Sequence, residues 1–346
     1  MKQVNTVGTI LLAILIFGAF VFVHELGHFL SAKAFHMKVN DFSLGFGPAL
    51  FKFTKGETTY AVRAFPLGGY VALDGEDEES DDERSFHKQK LWKRFIVMAA
   101  GGFMNLLLGF IVVLVVLNMQ QTLGSTTISN FQQQPVSNSV LQVGDKIMKI
   151  NDSRVHIDND IVFGLVRDED ALVNMQVKRG DELLNLQVPF QMTKNPDGTN
   201  AVYIDFTVYP LEKTFVNVAY NGIFYTGSIA KMVWVSLVDL LSGKFSVNQL
   251  SGPVGVTAVI SQASSMGLRP LLLLVAFITI NLGVFNLLPL PALDGGKILF
   301  ICIEAIFRKP VPPKYENYVH TAGLILLLGL MLFVTFNDIT RLFFNK

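Results

Sequence analysis

Four long apolar runs divide the chain, and between them the hydrophobic pattern changes character. Val7–Val23, Phe95–Leu117, Leu271–Leu288 and Val319–Phe336 are each long enough, or nearly so, to carry a helix across a bilayer. The fourth is the most marginal, with Asp338 and Arg341 just beyond it. A fifth stretch, Phe215–Leu241, is apolar too, but Lys231 sits near its middle and Asp239 near its end. That pattern predicts an amphipathic helix lying on the outer membrane surface. Residues 125–210 show short strand-like runs instead. Leu141–Asn151 reads as a strand introduced by Gly144-Asp145. Asn174–Lys178 and Leu183–Val188 read as two strands joined by Arg179-Gly180-Asp181, with Ile161–Val166 as a short helix between them. Earlier, Leu44-Gly45-Phe46-Gly47-Pro48 is a turn-rich apolar stretch, and Thr58–Val71 alternates loosely. This predicts a β-hairpin or a pair of short strands in which Pro66 keeps one side as an edge; an ordinary loop is the competing reading. Asp74–Glu83, with eight acidic residues in ten, reads as a solvated linker.

Composition places these runs in a membrane. Of 346 residues 51% are hydrophobic and 16% charged, against about 25% charged in soluble proteins. Lysine and arginine balance aspartate and glutamate, 28 against 28, which argues against a nucleic-acid partner. The single cysteine, Cys302, rules out an internal disulfide and is a poor metal ligand without companions. Lys33, Lys38, Lys52, Lys55, Arg63, Arg84, Lys88, Lys90, Lys93 and Arg94 crowd the segment between the first two runs. The positive-inside rule puts that segment in the cytoplasm, and Arg308, Lys309 and Lys314 agree. Residues 118–270 and both termini then lie outside. A secretory signal peptide is the rival reading of the amino end, with Lys2, an apolar core and Ala32-Lys33-Ala34 as its cleavage site. Ala34, however, stands eleven residues beyond Val23, far from the apolar core.

Chemistry gathers at the end of the first run, in His24-Glu25-Leu26-Gly27-His28. Residues four apart share a helix face, so His24 and His28 can present two imidazoles to one metal ion. Glu25 is close enough to act on a water at that metal without itself being a ligand. This is the H-E-x-x-H arrangement of two zinc ligands and a general base. Three fixed residues also recur by chance, and a lone histidine is more often structural than ligating. Ionisable residues at the edge of a membrane-length helix are costly, which favours function. A third ligand is needed. Asn286-Leu287-Leu288-Pro289-Leu290-Pro291-Ala292-Leu293-Asp294-Gly295-Gly296 follows the third run, and its two prolines cannot continue a helix. Open backbone at membrane depth is tolerated only inside protein or beside a water-filled cavity. Asp294, on a Gly-flanked turn, then reaches such a cavity on the cytoplasmic side, where His24 and His28 also lie. Two histidines and one carboxylate leave a fourth position open, as a catalytic zinc requires. Alternatively Asp294 caps a helix beginning near Lys297, which would not exclude metal binding. In the second run, Gly101-Gly102-Phe103-Met104-Asn105 lets helices approach closely; Asn105 is either a packing residue or an active-site donor.

Residues 125–210 resemble a PDZ domain, whose sheet edge takes an extended peptide by strand addition, although a clean Gly-Leu-Gly-Phe loop is missing. With that insert, the His24–His28 motif, Gly101–Asn105 and Asn286–Gly296, the chain resembles the site-2 protease family, and within it the bacterial members with a single PDZ domain. The resemblance implies a polytopic α-helical membrane protein with four spans, a membrane-associated β-hairpin and an inserted extracytoplasmic PDZ domain. Its parts would be a first span with the histidine motif over 1–34 and a cytoplasmic-side hairpin region with the acidic loop over 35–94. A second span over 95–118, the PDZ-like domain over 125–210 and an amphipathic interfacial segment over 211–270 would follow. A third span with the proline motif over 271–310, then a fourth span and tail over 315–346, would complete it. It further implies Zn²⁺ held by His24, His28 and Asp294, with Glu25 as base and Asn286 or Asn105 donating to the oxyanion. Tyr60, Val62, Phe65, Gly68 and Gly69 would hold an unwound substrate as an added strand. The substrates implied are single-span membrane proteins, including anti-sigma factors and signal-peptide remnants, cut near the cytoplasmic face of the plasma membrane, with a peptide at the PDZ domain as a further partner. Two rival functions are a non-catalytic membrane scaffold and a metal transporter. Neither explains a base beside two ligands.

Overall fold

The computed structural model describes residues 6–76, 78, 80–168, 170–194, 200–243 and 251–344. Asp77 and Glu79 of the acidic run, 169 and 195–199 within the strand-rich region, and 244–250 after the amphipathic stretch lie outside these. In chain order the elements are α1 (Thr6–Ala34), β1 (Val39–Lys55), β2 (Thr58–Leu73), a 3-10 turn (Phe86–Lys88) and α2 (Leu91–Met119). Next come β3 (Leu123–Phe131), a second 3-10 turn (Ser137–Ser139), β4 (Lys146–Ile150), β5 (Ser153–Arg154), α3 (Asp158–Val166), β6 (Leu172–Arg179) and β7 (Glu182–Pro189). Then follow β8 (Met192–Lys194), β9 (Asn200–Val202), β10 (Phe206–Leu211), α4 (Phe215–Leu241), α5 (Pro253–Met266), α6 (Leu268–Leu287), α7 (Asp294–Phe307) and α8 (Pro313–Phe344). Two compact units result, one of residues 1–112 with 230–346 and one of 113–229. Among the described residues five helices, α1, α2, α4, α6 and α8, are long and apolar enough to cross a membrane. The chain is a membrane protein with a β-rich unit.

In the helical unit, apolar burial between spans drives little association, because lipid tails are as apolar as leucine; close backbone packing takes its place. Gly27 of α1 sits where a Cβ would stand 2.4 Å from Ala100 O of α2. Gly102 of α2 and Gly283 of α6 face one another, a Cβ on either falling 3.0 or 2.8 Å from the other's carbonyl oxygen. These glycines bring α1 and α6 against α2. α1 does not end with its apolar run but continues eleven residues beyond Val23, so the histidine motif lies within a helix. Residues 211–270 are expected from sequence to form one amphipathic segment, whereas α5 is a separate helix inside it. The N-cap of α5 is Gly252, without a side chain; Asp338 of α8, buried, accepts the Gly255 N–H at 2.8 Å and serves instead.

The paired strands are longer and more folded than a short hairpin. The stretch read as turn-rich, Leu44–Pro48, lies inside β1, bent at Gly45 and Gly47, whose φ values are +83° and +85°. Because of that bend, β1 meets β2 three times. Asp41–Leu44 lie opposite Gly69–Ala72, the same four residues lie opposite Thr59–Val62, and Ala49–Lys55 lie opposite Thr58–Arg63. Arg63 clamps the bend through Ser43 Oγ (3.2 Å), Gly47 O (3.0 Å) and Tyr70 OH (2.5 Å). Phe46, Leu50, Phe51, Phe53, Val62 and Phe65 are exposed at the far end, an apolar surface suited to lipid.

In the β-rich unit the sheet order is β10-β3-β4-β6-β7, with β5 beside β4. β6 and β7 occupy the two predicted runs around Arg179-Gly180-Asp181, α3 overlaps the predicted short helix, and β4 is shorter than its predicted run because 141–145 form its lead-in turn. Ile128, Leu141, Ile147, Ile150, Leu165 and Val173 are among the residues of the core. Beneath them the Asp145 carboxylate receives both Arg179 Nε and Nη2 at 2.8 Å and the Gln142 N–H at 2.9 Å. Burial pushes that carboxyl up, but the Arg179 guanidinium and the Gln142 amide outweigh it and hold it below the usual carboxylate range.

Candidate metal centre

Three side chains from two ends of the chain meet. His24 and His28 lie one turn apart on α1, and their Nε2 atoms are 3.2 Å from each other. Each Nε2 is also 3.2 Å from Asp294 Oδ2. Asp294 is not on a flexible turn as its glycine neighbours suggest; it is the first residue of α7. Gly295 and Gly296 are helical and buried, and a Cβ on them would stand 1.9 Å from Leu288 O or 2.5 Å from Leu290 O. Their role is close approach, not mobility.

Proton positions follow from the partners. His28 Nδ1 lies 2.8 Å from Val97 O, and a carbonyl only accepts, so the ring carries its proton on Nδ1 and turns the Nε2 lone pair inward. Asp294 Oδ2 is buried and accepts no hydrogen bond among the described residues, which is costly unless something positive occupies the centre of the triangle. Bonds of 2.0–2.1 Å at tetrahedral angles separate ligand atoms by about 3.3 Å, close to the edges found here. The donor set, two imidazoles and one carboxylate, suits zinc and leaves a fourth position vacant for catalysis.

The other nominated residues distribute unevenly. Glu25 is half-buried on α1, its Cγ 3.1 Å from where a Cβ on Gly69 would be. The Asn286 amide meets His24 Nδ1 at 3.4 Å. Asn105 is buried one turn beyond Gly101, with Oδ1 unpaired among the described residues and its backbone oxygen 3.3 Å from Thr279 Oγ1. Gly68 and Gly69 belong to the part of β2 that runs beside Glu25, and Gly69 pairs on one side only, with Leu44. Tyr60 and Val62 do not share that edge. They pair on both sides, with Phe42 and Phe53 and with Leu44 and Phe51, so their peptide groups have no free side for an added strand. Phe65 is exposed at the bend, opposite Phe46. Two contributors were invisible in one dimension. Val97 O orients His28, and Gly101 clears the space for both rings. The glycine pair was the only signal, and it reads simply as helix packing.

The match to known proteins has the same extent as this geometry. The model of peptidase family M50 matches residues 12–330. A Clostridium perfringens protein described as a candidate zinc metalloprotease is 36% identical over 332 residues, covering 95% of this chain and 98% of its own. The regulator of sigma-W protease RasP of Bacillus subtilis is 31% identical over 422 residues, covering 97% and 99%. The zinc metalloprotease RasP of Bacillus licheniformis is 32% identical over 428 residues, covering 97% and 99%. The matched span holds both the α1 histidines and the α7 aspartate, and the chain belongs to peptidase family M50, the site-2 proteases, as an intramembrane zinc metalloprotease.

Proposed function

We propose that His24, His28 and Asp294 hold the catalytic zinc and that Glu25 is the general base for cleaving single-span membrane proteins. The 3.2 Å triangle of Nε2, Nε2 and Oδ2 atoms carries this reading. Zinc, when bound, supplies Lewis acidity that polarises the scissile carbonyl and makes water acidic enough to attack near neutral pH. Glu25 takes the proton of the attacking water and delivers it to the leaving nitrogen. Asn286 orients His24. A ring that offers Nε2 to a metal keeps its proton on Nδ1, so the amide oxygen faces it, an orientation reached by turning the amide half a revolution. That leaves Asn105 as the remaining candidate for oxyanion donor.

A helical substrate hides its carbonyls in its own hydrogen bonds and has to unwind before attack. The unpaired side of β2 at Gly68–Tyr70, beside Glu25, replaces those bonds by strand addition. Anti-sigma factors and signal-peptide remnants are the substrate classes, in regulated intramembrane proteolysis; the relative named as a regulator of sigma-W points the same way. The β-rich unit acts outside the plasma membrane as a PDZ-like sensor or size filter.

Four spans, with α4 at the outer interface, follow from parity. His24 and Asp294 share one side, so α1 and α6 run in the same direction across the bilayer. A crossing by α4 would need a return before α6, and α5, with 14 residues, reaches only about 21 Å of a core about 30 Å thick. α4 also has the lowest mean hydropathy of the five long helices, 1.3 against 2.1–2.5.

The test is co-expression with tagged single-span proteins, comparing wild type with Glu25→Gln. Cleavage should fall by about 10²–10⁴-fold while purified protein keeps its zinc. Equal fragment patterns from the two proteins would remove the protease assignment for Glu25, and zinc retained by Asp294→Ala would remove the ligand set.

A further inference from the structure

Asp294 reaches the two histidines only if the six residues before it, 288–293, keep one shape, and that shape is not held by the loop alone. Ala292 has φ +69°, a left-handed conformation that an alanine adopts only when its surroundings impose it. Within the loop, Leu290 N–H donates to Leu288 O at 2.6 Å and Leu293 N–H to Leu290 O at 3.3 Å. The Ala292 N–H is answered from outside, by His320 Nδ1 at 3.1 Å, on α8.

Two more observations tie α8 to this loop. Gly323, one turn beyond His320, lies where a Cβ would stand 2.3 Å from Pro291 Cβ, so any larger residue would push the helix away. Gly296 lies where a Cβ would stand 3.1 Å from His320 Cε1, so the ring sits against the first turn of α7 as well. A backbone N–H only donates, so His320 Nδ1 must offer its lone pair, and the ring is neutral with its proton on Nε2.

We propose that His320 is a positioning residue for the metal centre: by accepting the Ala292 N–H it holds the left-handed turn that sets Asp294 Oδ2 beside His24 and His28. This rests on the ligand set proposed above. The chemistry asked of residue 320 is narrow: an acceptor atom bonded to Cγ. Asparagine keeps one there, as Oδ1; glutamine moves it one carbon farther out; leucine has none.

The experiment measures zinc affinity by chelator competition on the full chain in detergent micelles, with peptide cleavage as a second readout. His320→Asn should hold zinc within about threefold of wild type, while His320→Gln and His320→Leu bind at least about tenfold more weakly. Should His320→Leu not be recovered folded, the Asn–Gln comparison decides alone. Equal affinity in the Asn and Gln proteins, whether both high or both low, overturns the proposal, because the acceptor's position would then not matter. Asp294→Ala in the same assay separates the two levels. If it leaves zinc binding intact, the ligand set fails; if it abolishes binding while the His320 variants follow no acceptor order, only the role of His320 fails.

Discussion

Gly101 of α2 stands so close to the α1 histidines that a Cβ on it would lie 2.2 Å from His28 Nε2 and 2.7 Å from His24 Cε1. α2 is therefore the back wall of the candidate metal centre. Gly101→Ala should leave the protein in the membrane but displace both rings, weakening zinc binding by about 10–100-fold. Zinc content after purification and chelator competition read this directly; full zinc content in that variant would show that the rings can yield without cost.

Gly69 tests the strand edge separately from the metal. A Cβ there would meet Ser43 O at 2.9 Å, Val21 Cγ1 at 3.0 Å and Glu25 Cγ at 3.1 Å. Gly69→Val should keep zinc and lose cleavage, because it crowds Glu25, the proposed base, and the free side of β2 while leaving the proposed ligands in place. Parallel loss of zinc and cleavage would mean instead that β2 supports the metal centre itself.

The Asp145–Arg179 pair sets an acid limit for the β-rich unit. The carboxyl is held below its ordinary value when folded, so its contribution is fully present above the unfolded carboxylate range and is lost as pH falls through the folded value. Arg179→Met leaves a buried carboxylate without its cation and should cost roughly 3 kcal/mol near neutral pH. It should also flatten the fall in stability on acidification below the unfolded carboxylate range. Limited proteolysis of residues 113–229 in the full chain, followed across pH and denaturant, gives both numbers.

Orientation can be read with one thiol at a time, since Cys302 is the sole cysteine. In a Cys302→Ser background, Asp181→Cys, at a fully exposed position of the β-rich unit, should react with an impermeant maleimide on intact cells. Glu83→Cys, exposed in the acidic loop, should react only after permeabilisation. The reverse pattern would invert the topology and place the metal centre at the outer leaflet.

How far the chain reads without coordinates differs from element to element. Long apolar runs led to α1, α2, α6 and α8, because burying a backbone in lipid requires a helix, and that requirement is local. His24 and His28 were legible as a pair for a related reason: a helix turn converts four positions of spacing into one shared face. The prolines before it point to Asp294, yet its placement at the head of α7, 3.2 Å from both rings, depends on contacts between residues hundreds of positions apart. The same holds for the doubled β1–β2 sheet, where two glycine bends give Asp41–Leu44 a neighbour on either side. Composition and periodicity thus determined the membrane class and the four most apolar helices, and motif spacing the candidate ligands. Only the tertiary structure decided which backbone edge lies open beside Glu25, which glycines make room for the rings and what holds the aspartate in place. Those are matters of excluded volume and hydrogen-bond direction between distant segments, and a linear order of residues does not carry them.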